Sequence, residues 1–467
     1  MTRWIAALAA FALASAGPAA AQAPPPASPV APATDRIAPR TDWWAALGDP
    51  LLDRLVAHAL RENRDIRAAE ADARRARALA KVEGWNLLPF GSLSAGAGRE
   101  RVGAEDREDG FAAVSGEAAW EVDVFGRLRA GASAAKAEAL SFEEARRGAM
   151  TAIAAQTAST YIDLRGAQAR LNAAQDNAKA QGETLRLTEA LKNGGRGTPL
   201  DVARARSQLE STQAAIPLLQ AQIEGDVAAL DVLAAGLTPD LVAGLRAPGP
   251  RLVPPPSIAV GQPDDLLRRR PDIRQAEARL HAAQARVRAT RVDWWPRISF
   301  VGAASAVGLN FGALDSDRAF SFTVGPRIDW PALDFRRNAL RTEAARAGAE
   351  AEFQRYEKLV LAGARDLDAA LASLGGALRA EARQEAAAEA ARQAAAMSRL
   401  RYREGVDPFL AVLDAERRLA EAEDAFALAR TRSALAYIRV GEALGVGWSD
   451  DAPTAVAQGA TGASLRR

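Results

Sequence analysis

Two pairs of segments in this chain alternate between apolar and polar side chains. The clearest segment places apolar residues on one side of an extended chain: Phe320, Phe322, Val324, Ile328 and Trp330. An equivalent run occurs earlier: Ala118, Trp120, Val122 and Val124. A weaker alternation precedes each of them, at 93–97 and 298–300. A period of two is typical of β-strands with one apolar and one polar face, so we expect two β-hairpins, at 88–125 and 296–330.

Long helix-favouring stretches follow the hairpins. No proline occurs between Pro89 and Pro199, or between Pro331 and Pro408. From residue 127 to residue 193 alone, a helix would extend about 100 Å. Between 378 and 397 the chain carries only alanine, arginine, glutamate and glutamine. Such a rod buries too little apolar area to be stable by itself, so we expect it to pack against helices of other subunits.

Glycine and proline interrupt the helical pattern at 193–200 and 404–410. Each interruption predicts the turn of a helical hairpin, because glycine adopts turn conformations and proline is tolerated at a helix start. We call these two turns the helical tips, and we expect function to reside there.

The chain contains one unit twice. Residues 65–71 (DIRAAEA) recur as residues 272–278 (DIRQAEA), a shift of 207. Further along, three residues recur at a shift of 210: Trp120, Phe125 and Arg127 match Trp330, Phe335 and Arg337. We predict a first repeat at 49–237 and a second at 263–447, each built as helix, β-hairpin and helical hairpin. A connecting segment (238–262) and a tail (448–467) complete the chain.

The N-terminal residues predict export. A short basic region at Arg3 precedes an apolar run that ends near Ala16, and small residues precede Gln22. This is the pattern of a cleaved signal peptide, which we place at 1–21, followed by a proline- and alanine-rich leader at 22–48. No later stretch approaches about eighteen consecutive apolar residues, so we expect no transmembrane helix in the mature chain.

Composition excludes several classes of site. The 467 residues include 60 basic and 58 acidic side chains, no cysteine and two histidines. Balanced charge argues against a nucleic-acid-binding surface, and without cysteine there are no disulfides or thiolate sites. His58 and His281 lack a ligand pattern, and the glycine-rich run 194–198 lacks the lysine of a phosphate loop. We expect neither an enzyme nor a metal or cofactor site.

An alternating sheet in an exported chain has two interpretations: a sheet packed on the core of a soluble protein, or part of a membrane β-barrel. Four strands cannot close a barrel, and open sheet edges are not stable in lipid. A barrel therefore requires several chains, and a trimer would supply twelve strands. Trp120 and Trp330 would then lie in an aromatic girdle at the membrane interface.

Several short motifs occur together and in a fixed order. They are Trp43–Trp44, Asp49–Pro50, 266–274 (LLRRRPDIR), 295–298 (WPRI), Gly325–Pro326, 402–406 (YREGV), 413–417 (LDAER) and 443–448 (ALGVGW). In this the chain resembles the TolC-like outer-membrane channels of tripartite efflux pumps, nearest the subgroup that serves resistance-nodulation-division (RND) transporters. Many members of that subgroup carry an N-terminal cysteine for lipid attachment, which this chain lacks, so we expect no lipid anchor.

The resemblance implies a helix-dominated α+β fold and a homotrimer. Three chains would form a twelve-stranded β-barrel in outer-membrane lipid, continuous with a periplasmic α-barrel. An equatorial belt would surround its middle, built from 31–60, 238–262 and the residues after 448. The implied function is passive export from an inner-membrane RND-type transporter, through a periplasmic adaptor, to the outside.

The resemblance also implies the site residues. By motif position, a periplasmic gate would consist of Arg401, Tyr402, Leu410, Asp414 and Arg417. The adaptor would contact the helical tips at Gly195, Gly197, Thr198, Leu200, Gly405 and Val406. Asp201 and Asp407 are further candidates for the pore mouth. Asp414 and Arg417 could equally form an ordinary solvated i, i+3 pair.

Two alternatives remain open from the sequence. One is the outer-membrane component of a type I protein secretion or metal-efflux system, which shares this architecture. The other is a periplasmic coiled-coil scaffold without a pore.

Overall fold

The structure is a computed structural model that describes residues 42–102, 107–250, 252–255, 269–309, 311–315 and 318–447. The predicted signal peptide, the leader up to residue 41, parts of the connecting segment and the tail 448–467 lie outside the described residues.

Helices make up most of the described chain. They are α1 (Pro50–Glu62), α2 (Arg64–Trp85), α3 (Arg127–Asn193), α4 (Pro199–Leu233), α5 (Pro239–Arg246), α6 (Pro271–Val292), α7 (Phe335–Arg403) and α8 (Phe409–Ala443). The predicted rods are present: α3 has 67 residues and α7 has 69, so each extends about 100 Å. None of the described helices is both long enough and apolar enough to cross a membrane.

Repeat 1, expected to begin with one helix, in fact begins with two, α1 and α2. The Asn63 side chain accepts hydrogen bonds from the N–H groups of Asp65 and Ile66, at 2.9 and 3.1 Å, and so caps α2. An asparagine that satisfies the free N–H groups of a new helix favours a break at that point.

The predicted duplication is confirmed by the helix positions. The helix α6 begins and ends 207 residues after α2, and both contain 22 residues. Likewise α8 begins and ends 210 residues after α4, and both contain 35 residues. The two repeats therefore have the same helical plan, although α4 contains a proline, Pro217, in its interior.

The rod α3 has different neighbours along its length. Near the sheet, its Glu143 pairs with Arg77 of α2 at 3.1 Å, and its Glu144 pairs with Arg274 of α6 at 2.8 Å. Near the tips α3 packs between α4 and α8, and α8 in turn packs against α7. The helices thus form a layer with the order α2–α3–α6–α7 near the sheet and α4–α3–α8–α7 near the tips.

Four antiparallel strands form one sheet in the order β1–β2–β3–β4: Phe90–Val102, Arg107–Val122, Arg297–Gly308 and Phe320–Asp329. Each repeat contributes one hairpin, and β2 pairs with β3 to join them. Within the described residues, β1 and β4 each have a strand on one side only. The sheet therefore has two open edges.

The main apolar core lies around the middle of the rods. There the N-terminal segment and α1 pack against α3, α4 and α8, with these side chains among those almost completely buried: Leu52, Leu55, Val56, Tyr161, Leu230 and Val440. Trp43 fits against Gly441, where an added Cβ would collide with the indole. Tyr437 donates to the Trp43 carbonyl at 2.8 Å. Burying each large side chain contributes about 1.5–3 kcal/mol, so this core fixes the rods relative to one another.

Candidate functional site

The first helical tip is held by a reciprocal cap. Gly195 takes the left-handed conformation (φ +74°) after α3 ends, and Thr198 caps α4. The Thr198 hydroxyl accepts from the Asp201 N–H at 3.2 Å and donates to the Asp201 carboxylate at 2.7 Å. The Asp201 carboxylate, predicted as a pore-mouth group, is therefore engaged in capping its own helix.

The second helical tip is closed by an ion pair. Gly405 has φ +77°, and Arg401 donates two hydrogen bonds to Asp407, at 2.7 and 2.8 Å. The hydrogen bond from Arg401 holds the pKa of Asp407 below its ordinary value. Two of the predicted site residues thus neutralise each other across the turn.

The two tips touch. A Cβ added at Gly405 would lie 2.9 Å from Nη2 of Arg196, which belongs to the first tip. The exposed side chains Leu200, Val406 and Leu410 lie at the tips, each with more than half of its surface accessible. They supply an apolar surface that a partner could contact.

Tyr402 lies behind the tips in a small core. Its ring centroid is 5.6 Å from that of Phe409, and both are buried with Val412 and Ala205. Because Ala205 belongs to α4, this cluster packs the second helical hairpin against the first.

Asp414 lies on α8 with two arginines. Arg417 donates to it at 3.1 Å and Arg418 at 2.8 Å, and all three side chains are exposed. Hydrogen bonds from Arg417 and then Arg418 hold the pKa of Asp414 below its ordinary value. The carboxylate is therefore ionised at neutral pH and paired with two arginines.

The sequence analysis missed a buried carboxylate close to Asp414 on α8. Glu416 has 3% of its side chain exposed, and its Oε1 accepts from Thr184 of α3 at 2.6 Å and from Arg399 of α7 at 2.7 Å. It lies two residues beyond Asp414. The sequence does contain a signal for the burial of Glu416. It lies four residues after Val412 and three before Leu419, so it shares the buried face of the helix with them.

The sheet has the predicted apolar face. The strand register places on one face Leu93 of β1, Trp120 of β2, Phe300 of β3 and Val324 of β4. Leu93 and Val324 are 88% and 77% exposed, so no other described part of the chain covers this face. One exception is Phe90, which is opposite Ala119 and therefore lies on the other face.

The opposite face carries mostly polar and small side chains, although Phe111 and Val301 also lie on it. Ser94 and Ser115 are hydrogen-bonded at 2.7 Å, and Ser305 and Ser321 at 2.9 Å. The register aligns Ser115 with Ser305, so one line of serines crosses all four strands. A face of this kind is suited to contact with water.

Trp120 and Trp330 occupy equivalent positions at the helical end of the sheet. The Trp120 indole donates to the Leu87 carbonyl at 3.1 Å, and the Trp330 indole donates to the Trp294 carbonyl at 3.2 Å. The two tryptophan residues are 38% and 61% exposed. Each indole thus links the end of a hairpin to the segment before the sheet by a hydrogen bond, and the residue remains accessible.

The histidines have separate surroundings. Nε2 of His58 lies 3.0 Å from the Gly236 carbonyl oxygen, and Nε2 of His281 lies 3.8 Å from Glu277. Among the described residues, no group of three or more histidine, aspartate or glutamate side chains is arranged to hold a metal ion.

Comparison with known proteins gives concordant matches. The family model described as outer membrane efflux protein matches residues 55–236 and 262–446, one match for each repeat, and neither match extends more than one residue beyond the predicted bounds. The toluene efflux pump outer membrane protein TtgF of Pseudomonas putida is 31% identical over 414 residues, covering 87% of this chain and 86% of that protein.

Solved structures are similar over the same length. The outer-membrane channel OprN has a TM-score of 0.81 at 34% identity, covering 89% of this chain and 94% of that chain. The MtrE outer membrane channel of Neisseria gonorrhoeae, in its open state, has a TM-score of 0.77 at 26% identity, covering 85% and 90%. The family model matches both repeats, and the relative and the solved structure align with most of the chain. This chain therefore belongs to the outer membrane efflux protein family.

Proposed function

We propose that three copies of this chain form a passive exit duct in the outer membrane, the last component of a tripartite efflux pump. The observation that carries this proposal is the uncovered apolar face of a sheet with two open edges. Pairing β4 of one copy with β1 of the next would leave no unpaired edge, as lipid requires. Three copies of four strands give twelve, enough for a wide water-filled lumen.

The helical layer supports the same arrangement. Near the tips α4 packs mainly on α3, and α7 packs on α8. Among the described elements, both outer helices therefore have an open side. Joining α4 of one copy to α7 of the next would close a ring that continues the barrel. Alanine-rich faces such as that of α7 allow helices to approach closely.

A pore-less periplasmic scaffold fits this chain poorly. The sheet exposes large apolar side chains on one face, including Phe320, Phe322 and Ile328. A soluble protein rarely leaves a contiguous apolar patch of this kind in water, whereas a lipid-facing barrel requires one.

The proposed roles of the residues follow from this arrangement. Asp414, Arg401, Tyr402, Leu410 and Arg417 would form the periplasmic gate, with Asp201 and Asp407 at its mouth. The residues that would receive the adaptor, which links the duct to an RND-type transporter, are Gly195, Gly197, Thr198, Leu200, Gly405 and Val406. Trp120 and Trp330 would lie at the lipid interface. Since the duct only conducts, it needs no catalytic group.

The names of the relatives suggest which class of molecule this duct would transport. TtgF and its neighbours are named for the efflux of toluene, solvents and antibiotics. We propose small apolar or amphipathic molecules for this chain. Deleting its gene should increase sensitivity to such compounds, whereas a phenotype limited to metals or to a secreted protein would favour the corresponding alternative.

The assembly itself is tested by mass. In detergent, native mass spectrometry should find a trimer of the mature chain. A stable monomer that stays in solution without detergent would overturn the proposal, because the apolar face would then have to be covered within one chain.

A further inference from the structure

A groove runs between α2 and α3 at the end of these helices that lies next to the sheet. It has a volume of about 760 Å³ and is lined by both helices. Its charged lining residues are Arg77, Lys81, Lys136, Glu143 and Arg147. Four of these five side chains are basic, so the groove is complementary to an anion. We call this cavity the α2–α3 groove.

Two lysines supply the available charge of the groove. The arginines of the lining are already paired with carboxylates, as Arg77 is with Glu143 at 3.1 Å. Lys81 and Lys136 are exposed, and neither forms an ion pair with another described residue. Their ammonium groups are therefore free to bind a ligand.

The two lysines lie at nearly the same height. Because α2 ends at the sheet and α3 begins there, the two helices are antiparallel. The contact between Arg77 and Glu143 fixes their register, and it places Lys81 and Lys136 about 6 and 10 Å nearer the sheet. One anionic group could therefore contact both lysines.

The end of the groove nearest the sheet is apolar. It is formed by Trp85 and Leu88, which are 69% and 48% exposed. The chain then enters β1, where Leu93 lies on the apolar face of the sheet. Trp120, on the same face, donates to the Leu87 carbonyl at 3.1 Å. The apolar end of the groove is thus continuous with the apolar face of the sheet.

The groove lies on the outer side of the rods. Arg147 of the groove and Ala158 are eleven residues apart on α3, which is about three turns, so they share one face of the helix. Ala158 is completely buried in the core that joins α3 to the N-terminal segment and α1. In a closed ring this added layer must lie outside, because the inside is the pore. The groove therefore faces outward, directly below the sheet.

We propose that the α2–α3 groove binds an anionic phospholipid of the periplasmic leaflet, with phosphatidylglycerol as the probe. Lys81 and Lys136 would bind its phosphate, and its acyl chains would pass Trp85 and Leu88 to reach the apolar face of the sheet. Lysine and tryptophan are side chains that anchor proteins at this depth of a bilayer. This inference rests on the proposed duct function, because it requires the sheet to lie in lipid.

The second repeat offers a poorer site at the equivalent place. At the shift of 210, Glu350 and Glu357 of α7 correspond to Leu140 and Arg147 of the groove. A phosphate would therefore meet two additional carboxylates there. The proposal accordingly predicts one lipid site per chain.

The test is native mass spectrometry of the purified mature protein in a neutral detergent, with lipid titrated in. Phosphatidylglycerol has one negative charge, whereas phosphatidylcholine is neutral overall. With matched acyl chains, phosphatidylglycerol should bind roughly tenfold or more tightly, because each nearby lysine favours an anionic headgroup. Its binding should saturate at one lipid per chain. Equal affinities for the two lipids would overturn the proposal.

Variants assign the preference to the groove. Lys81→Gln/Lys136→Gln should reduce the preference to less than about threefold, whereas Lys81→Arg/Lys136→Arg retains the charge and should retain the preference. The matched control is Lys179→Gln, because Lys179 is an exposed lysine of α3 that lies about 65 Å further from the sheet than Lys136. This control should behave as the wild type does. A wild-type preference in the double glutamine variant would refute the site.

Three further outcomes are decisive. Millimolar inorganic phosphate should not displace the lipid, since it has no acyl chains; complete displacement would indicate a site for free anions and overturn the proposal. Should the double glutamine variant fail to fold, Lys81→Gln and Lys136→Gln alone should each weaken the preference, and no effect from either would refute it. Because the groove lies within one chain, a monomeric or non-conducting protein would contradict the duct, and the lipid preference would still test the groove separately.

Discussion

Asp414 and Glu416 are two carboxylates two residues apart with opposite surroundings. Asp414 is exposed and bonded to arginines of its own helix, whereas Glu416 is buried and bonded to two other helices. An exposed ion pair on one helix contributes little to stability, because solvent screens it. The role of Asp414 is therefore better sought in the electrostatics of a pore than in the stability of the fold.

Asp414→Ala should raise single-channel conductance in planar bilayers. Three symmetry-related carboxylates, with their arginines, would narrow the periplasmic constriction, and alanine removes them without disturbing a buried contact. Glu277→Ala, at an exposed position of α6, is the control and should not change conductance. An Asp414→Ala trimer with wild-type conductance would exclude this residue from the gate.

Asp226 of α4 should make stability depend on pH. Burial, with the charge of Asp163 added, raises the pKa of Asp226 from 3.8 to about 6. A carboxyl whose folded pKa is raised supplies stability that is present at low pH and lost as pH rises through about 6.

Asp226→Asn should therefore raise the melting temperature at pH 8 and have little effect at pH 4. Asp176→Asn, at an exposed position of α3, serves as the comparison and should show no such difference between the two pH values. If Asp226→Asn stabilised the protein equally at both pH values, the raised pKa of Asp226 would not be the cause of the pH dependence.

Gln181 carries a buried amide with no hydrogen-bond partner within the described part of the chain, and only 2% of its surface is exposed. An unpaired buried polar group costs about 1–3 kcal/mol. Gln181→Leu should therefore increase the free energy of unfolding by a similar amount. Gln175→Leu, exposed on the same helix, should change it by less than about 0.5 kcal/mol. Destabilisation by Gln181→Leu would show that the amide has a partner in the assembled trimer.

The strands and helices were largely predictable from the sequence, because their signals are local. Alternation identified the apolar face of the sheet, and the absence of proline identified the rods. Local patterns could not reveal that Asn63 would divide the first helix, since asparagine also occurs within helices. Phe90 lies on the polar face because strand register, rather than residue type, decides which face a side chain joins.

The site was less predictable, because its partners are distant in sequence. The motif that located Asp201 and Asp407 could not show that each is already bonded, one to Thr198 and the other to Arg401. Glu416 is joined to Thr184, which lies 232 residues away. Only the packing of three helices brings these groups together.

The orientation of the sheet in the membrane can be tested on one strand. Val324 lies on the apolar face and the adjacent Thr323 on the serine face. Arginine on a lipid-facing strand position costs about 2–4 kcal/mol near the membrane centre. Val324→Arg should therefore reduce the yield of assembled trimer in the outer membrane, whereas Thr323→Arg should assemble normally. The opposite result would mean that the apolar face is directed inward.

For the molecule as a whole, the described part of each chain presents open edges at two levels. In the sheet they are β1 and β4, and in the helical layer near the tips they are α4 and α7. The rotation that relates one copy to the next would pair β4 with β1 in the sheet and α4 with α7 in the helical layer. Under the proposed function, a single polypeptide would contain one third of a tube, and the pore would exist only in the assembly.

The most direct test of this account is the ion current through purified wild-type protein in a planar lipid bilayer. We predict discrete current steps of uniform size, produced by a species that is trimeric by mass. Folded protein that inserts into the bilayer and yields no such steps would contradict the account.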